Sequence, residues 1–182
     1  MTRKTAVIAA AFACFLHAGT ALAQSAIPPE VARLFVGAWR AVPGGLYTAN
    51  ADGSRGYPYG QDAVTRIILT SDGYGATSLQ FRDRERCATG TGPRQCSGPE
   101  AEAAFKNSSS SQYRYRLVPD ADDPFKGTMI WDVDLTTYPN WQGQSLSRRY
   151  EMSRDGKGLT LIATLPANPR LGLWMQLERE QR

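Results

Sequence analysis

The chain reads as an all-β protein, an eight-stranded antiparallel barrel preceded by one short helix. Three observations lead there. Strand-like segments recur with turn residues between them, and no long amphipathic helix interrupts the series. A Gly37-Ala38-Trp39 opening is matched by a Leu177-Glu178-Arg179 close, so a tryptophan can plug one end while a guanidinium lies across its ring. Eight strands are also the number with which a small barrel closes around a side-chain-filled or ligand-sized interior.

The elements follow in order. Pro28-Pro29-Glu30 with Val31, Leu34 and Phe35 predicts a helix of one to two turns with proline at its start. Residues 38–42 form the first strand. Residues 64–70 and 74–81 form the next two, joined by a tight hairpin at Ser71-Asp72-Gly73. A short helix is expected over 100–106, and Ser108-Ser109-Ser110-Ser111 reads as a loop. Five more strands are expected at 113–118, 128–135, 145–153, 159–165 and 171–178, with Asp155-Gly156-Lys157-Gly158 turning the chain between the sixth and the seventh.

The N-terminus carries an address. Arg3 and Lys4, the short apolar run 6–18 and Ala21-Leu22-Ala23 make the pattern of a cleaved secretory signal over residues 1–23. A lipid anchor on Cys14 is the weaker reading, because Ala11-Phe12-Ala13 is a poor approach to a lipidated cysteine. The remainder, 24–182, reads as a single barrel domain, periplasmic or secreted, with no membrane segment once the signal is removed. Losing Arg3 and Lys4 lowers the net charge from +4 to +2, too small a surplus to argue for nucleic acid. The one histidine, His17, falls in the signal, which excludes imidazole acid–base chemistry, histidine triads and His-ligated metals from the exported part. Cys87 and Cys96 remain, separated by a turn-rich segment in an oxidising compartment. They are expected to form a structural disulfide rather than half of a metal site. No metal and no cofactor is called for.

Period-two alternation decides which side chains look inward. On the last strand Leu171, Leu173, Met175, Leu177 and Arg179 share a face. Met129, Trp131, Val133 and Leu135 share one on the fifth strand, opposite Asp132 and Asp134. On the sixth strand Leu146, Arg148, Tyr150 and Met152 face inward, with Glu151 on the other side. An inward arginine among apolar neighbours must find an anion or several acceptors, since an isolated buried charge is very costly. It is therefore either a ligand anchor or the partner of a structural carboxylate or carbonyls. Arg148, Tyr150, Trp131, Tyr113 and Tyr74 are the candidate ligand-binding residues; Trp39 and Arg179 are the structural pair. Asp120, Asp122 and Asp123 crowd one loop, but lack the ligand order of a calcium loop and read as a solvated turn.

The chain resembles the bacterial and fungal lipocalin-like domain proteins. The resemblance rests on Gly37-Ala38-Trp39, on Tyr57-Pro58-Tyr59-Gly60-Gln61-Asp62-Ala63 leading into Ile68-Leu69-Thr70-Ser71-Asp72-Gly73-Tyr74, and on Pro139-Asn140-Trp141-Gln142-Gly143. Arg148 with Glu151, Leu159-Thr160-Leu161 and Leu177-Glu178-Arg179 complete it. It implies a calycin-type, lipocalin-like barrel. Members often carry a histidine pair where this chain has Trp131 and Asp132, and a glycine usual near Tyr113 is missing, so histidine-dependent chemistry does not carry over.

Three function classes follow. The leading one is an exported binder of a small hydrophobic or amphipathic ligand, acidic head groups included, held among aromatic walls with Arg148 near the head group. The second is a histidine-independent isomerase or cyclase working in the same cavity. The third is a periplasmic protein-binding or inhibitor barrel acting through its loops.

Overall fold

Burial alternates along each wall strand, and this sets the inner face of the molecule. The computed structural model describes residues 27–81, 87–88, 96–165 and 168–181; the leader 1–23 lies outside them. Strands β1 (Gly37–Ala49), β2 (Arg55–Gly56), β3 (Val64–Leu69) and β4 (Tyr74–Gln80) come first, after helix α1 (Pro29–Phe35). Helix α2 (Gly98–Lys106) then leads to β5 (Ser108–Pro119), β6 (Lys126–Thr136), β7 (Ser145–Met152), β8 (Gly158–Leu165) and β9 (Asn168–Arg179). All neighbours pair antiparallel, and β1 pairs with both β3 and β9, which closes the ring. β2 is a two-residue strand laid against the end of β1, outside that ring. Eight strands therefore make the barrel, as expected.

The inner positions of β3 show the pattern plainly: Thr65, Ile67 and Leu69 are buried, while Val64, Arg66 and Ile68 between them are exposed. Burying one face in this way fixes the register, because a slip of one residue would turn every apolar side chain outward.

Three expectations are corrected. The first strand is longer than 38–42, running to Ala49 through an irregularity between Ala41 and Leu46. Gly44 (φ 67°) and Gly45, whose added Cβ would meet the Gln176 carbonyl at 2.7 Å, make that shift possible. The serine run 108–111 is strand, not loop. It pairs with residues 77–80 of β4, and the buried Ser111 hydroxyl bonds that of Thr136 at 3.0 Å, so pairing overrides a turn-like composition. Leu135 does not share the inner face of β6. The β5–β6 register shifts between Gln112 and Tyr113, which leaves Leu135 outside and 55 % exposed and turns Thr136 in.

The disulfide Cys87–Cys96 is formed, with Cα atoms 5.3 Å apart. Glu100 ties the stems of that loop together, accepting from the Ala88 and Ser97 backbone N–H groups, each at 2.7 Å. Ser97 and Glu100 also form a capping box that starts α2. Among the described residues no helix is long and apolar enough to cross a membrane.

Candidate functional site

The floor of the barrel fixes what is left open. Trp39 is fully buried there and donates its indole N–H to the Phe35 carbonyl of α1 at 2.9 Å. Arg179 lies over the Trp39 ring, 4.4 Å from guanidinium carbon to ring centroid. Its Nε donates to the Gly156 carbonyl at 2.9 Å, Nη1 to Val36 at 2.8 Å, and Nη2 to Leu34. Gly37 must be glycine: its φ is 142°, and a Cβ would come within 2.6 Å of Arg179 Nη1. The two terminal marks in the sequence thus meet as one closure. Tyr150 belongs to this floor and does not line the cup. It is fully buried, edge-on to Phe35 at 5.0 Å, and donates to the Pro124 carbonyl at 3.2 Å.

A second arginine–tryptophan pair lies higher in the wall. β5 brings Tyr113 onto Trp131 of β6, stacked at 4.3 Å, and β7 places Arg148 over the other side of this group, 4.9 Å from the Trp131 centroid. The registers Tyr113↔Val133 and Met129↔Arg148 put these three side chains side by side on adjacent strands. The Tyr113 hydroxyl is bonded to Thr77 Oγ1 at 2.8 Å, and burial pushes its pKa well above the usual phenol value.

Arg148 has few partners. Its Nη1 donates to the Ser147 carbonyl at 2.9 Å, its Nε is buried with no acceptor, and no carboxylate pairs with it among the described residues. Burial lowers its pKa from the ordinary guanidinium value. The Trp131 indole N–H and the Thr65 hydroxyl, both buried on inward-facing positions, also lack partners among the described residues. The adjacent Arg149 faces out and behaves in the ordinary way, clasping both oxygens of Asp120 at 2.8 and 2.7 Å and holding that carboxyl below the usual range. Asp120 and Asp123 are therefore committed to Arg149 and Arg154 rather than gathered around a cation.

Tyr74 is a correction. It sits one residue before the inward Gly75, is 41 % exposed, and carries the Arg114 guanidinium on its ring at 3.6 Å, so it lies on the outer wall and away from the cup. Any Cβ at Gly75 would collide with the Tyr113 ring at 2.2 Å, which explains why the small residue faces in and the tyrosine out. Tyr47 and Trp174 likewise stack on the outside, beneath Arg55.

Sequence reasoning missed the mouth. Tyr59 packs against Phe81, and Tyr138 against Phe105 and Trp141, the latter in the 3-10 turn Pro139–Trp141. Burial first, then the neighbouring Tyr138, raises the Tyr59 pKa. An aromatic belt thus joins the 57–63 loop, the β6–β7 connection and α2. The only signal for it was the aromatic content of those loops. Outside the barrel an open groove of about 450 Å³ crosses β3 to β6, between Ile68 and Leu135, with Arg66 at its edge. Among the described residues it holds no buried unpartnered cation comparable to Arg148.

A lipocalin-like domain family model matches residues 36–173, most of the chain and all of the barrel strands except the end of β9. The chain belongs to the lipocalin-like domain family. No curated protein matches it at a significant level. A barrel of this family points to small-ligand binding in general.

Proposed function

We propose that the protein is an exported binder of a small amphipathic molecule with an acidic head group, held in the barrel beside Arg148. The observation that carries this reading is an inward guanidinium on an aromatic stack that has, among the described residues, one carbonyl acceptor and no carboxylate. An unpaired buried charge is expensive, and a ligand carboxylate or other oxyanion would offset that cost with charge-assisted hydrogen bonds. Trp131 and Tyr113, stacked on each other and buried, form the apolar backing behind Arg148. Export is supported by the signal-like leader and by the Cys87–Cys96 bond, which suits an oxidising compartment. A histidine-independent enzyme in the same cup is less well supported: Tyr113, the phenol nearest Arg148, is held protonated by burial and already bonded to Thr77.

The test is a titration of the purified protein with matched neutral and acidic lipophiles, followed by intrinsic tryptophan emission. Acids should bind at least tenfold more tightly than their neutral counterparts. Arg148→Met should remove about 1.5–3 kcal/mol of acid affinity, the scale of a hydrogen bond to a charged group, and leave neutral ligands unchanged. Equal affinity for both classes in the wild type would make Arg148 a structural residue.

A further inference from the structure

The wall beside Arg148 is not closed along its whole height. The β7–β8 ladder runs from Met152↔Leu159 to Arg149↔Ile162 and ends there. β7 continues to Ser145 but pairs only with β6, through Trp131↔Leu146 and Asp132↔Ser145. β8 continues to Leu165 but pairs only with β9, through Ala163↔Leu173 and Thr164↔Gly172. Among the described residues, then, each strand keeps its far neighbour while the upper halves of β7 and β8 part, leaving a seam in the barrel wall.

Arg148 is the first residue above the last rung, at the lower lip of this seam. Among the described residues the one acceptor it has is the carbonyl of Ser147, an exposed residue in the stretch of β7 that pairs with β6 but has no partner on β8. A backbone carbonyl is a weak substitute for the carboxylate that a guanidinium takes bidentately. At the end of the barrel opposite Trp39, Tyr59 packs on Phe81 and Tyr138 on Trp141 among the connecting loops. Among the described residues, a cation without a carboxylate therefore lies where the β7–β8 pairing ends.

We infer that this seam is a lateral port for monocarboxylates. The ligand's carboxylate takes the Nη1–Nη2 end of Arg148 in place of the Ser147 carbonyl, since the Nε side is shielded. Its apolar tail extends inward along the half-buried Leu146, away from the Trp131 ring. The inference rests on the acid-binding role proposed above and adds where the head group sits and by which route it arrives. The ligand is held by its acid end at the wall and not suspended from the mouth.

Bromine quenching of tryptophan emission distinguishes these geometries, with octanoate, methyl octanoate, 2-bromo-octanoate and 8-bromo-octanoate as probes on the intact protein. Octanoate should bind at least tenfold more tightly than its methyl ester. At saturation 2-bromo-octanoate should quench more strongly than the 8-bromo acid, and Trp131→Phe should abolish that excess. Ala163→Phe, which places a ring opposite Arg148 across the seam, should weaken octanoate at least tenfold with an unchanged melting temperature. If octanoate binds but the 8-bromo acid quenches Trp131 as strongly as the 2-bromo acid, or the methyl ester binds equally well, the seam assignment is overturned while a binding barrel stands. If neither octanoate nor its ester binds, the proposed function falls and the port falls with it.

Discussion

Two arginines lie on tryptophan rings in one barrel, Arg179 over Trp39 at the floor and Arg148 over Trp131 in the wall, with guanidinium-to-ring distances of 4.4 and 4.9 Å. Around them the surroundings diverge. Arg179 donates to three backbone carbonyls, and its tryptophan's N–H is bonded to Phe35. Among the described residues Arg148 donates to one, and its tryptophan's N–H has no partner. The same pair of residue types thus serves as a fastening in one place and as an unmet demand in the other. Partner count, not the cation–π contact, is what distinguishes the two arginines.

The largest effect should come from the fastening. Arg179→Ala leaves three carbonyls without their donor and uncovers the Trp39 ring, and should lower the unfolding free energy by about 3 kcal/mol. Urea denaturation monitored by tryptophan emission would show it, with lipophile selectivity unaltered. Opening the Cys87–Cys96 bond comes next, at roughly 2–3 kcal/mol for a short loop. Melting curves of oxidised protein and of the Cys87→Ser, Cys96→Ser double variant give this difference, and denaturing thiol titration of the oxidised form should find neither cysteine free. Arg148→Met should go the opposite way, with stability unchanged or raised by about 1 kcal/mol, because an unpaired charge is replaced by a side chain of similar length. A loss as large as that for Arg179→Ala would erase the contrast between the two pairs. The smallest effect concerns the outward Arg149–Asp120 pair. Arg149 lowers the Asp120 pKa, so its contribution is complete above the unfolded carboxyl value near 4 and fades as pH falls through the lower folded value. Asp120→Asn should flatten that acid limb slightly, as read from melting temperatures between about pH 2 and 6.

Much of this was legible in the chain. Gly37, Trp39 and Arg179 disclosed the closure because that geometry needs a glycine, a large ring and a long donor in fixed order. The inward line of Leu146, Arg148, Tyr150 and Met152 followed from period two alone. Alternation failed at Leu135, where a register shift reverses the faces without any mark in composition. It also could not separate Tyr150, sunk in the floor, from Trp131 in the cup, since depth along a barrel depends on stagger between strands. Tyr74 was misplaced for a related reason: an aromatic in a strand fits either face, and the neighbouring glycine made room for Tyr113 instead. The parting of β7 and β8 depends on which backbone pairs form at long range, and side-chain pattern carries no record of that.

The Arg179 fastening also bears on time. Its guanidinium holds carbonyls at Gly156, Val36 and Leu34, and the last of these is 145 residues away along the chain. The β1–β9 rungs that accompany it are equally remote. Such contacts must bear the entropy of bringing distant segments together before they return any stability, so topologies dominated by them fold slowly. The hairpins from β3 to β8 can assemble early as an open, twisted ribbon, but the ring cannot be sealed until residue 179 has joined. A polypeptide whose sealing step waits for its last strand stays extended and unlocked for longer.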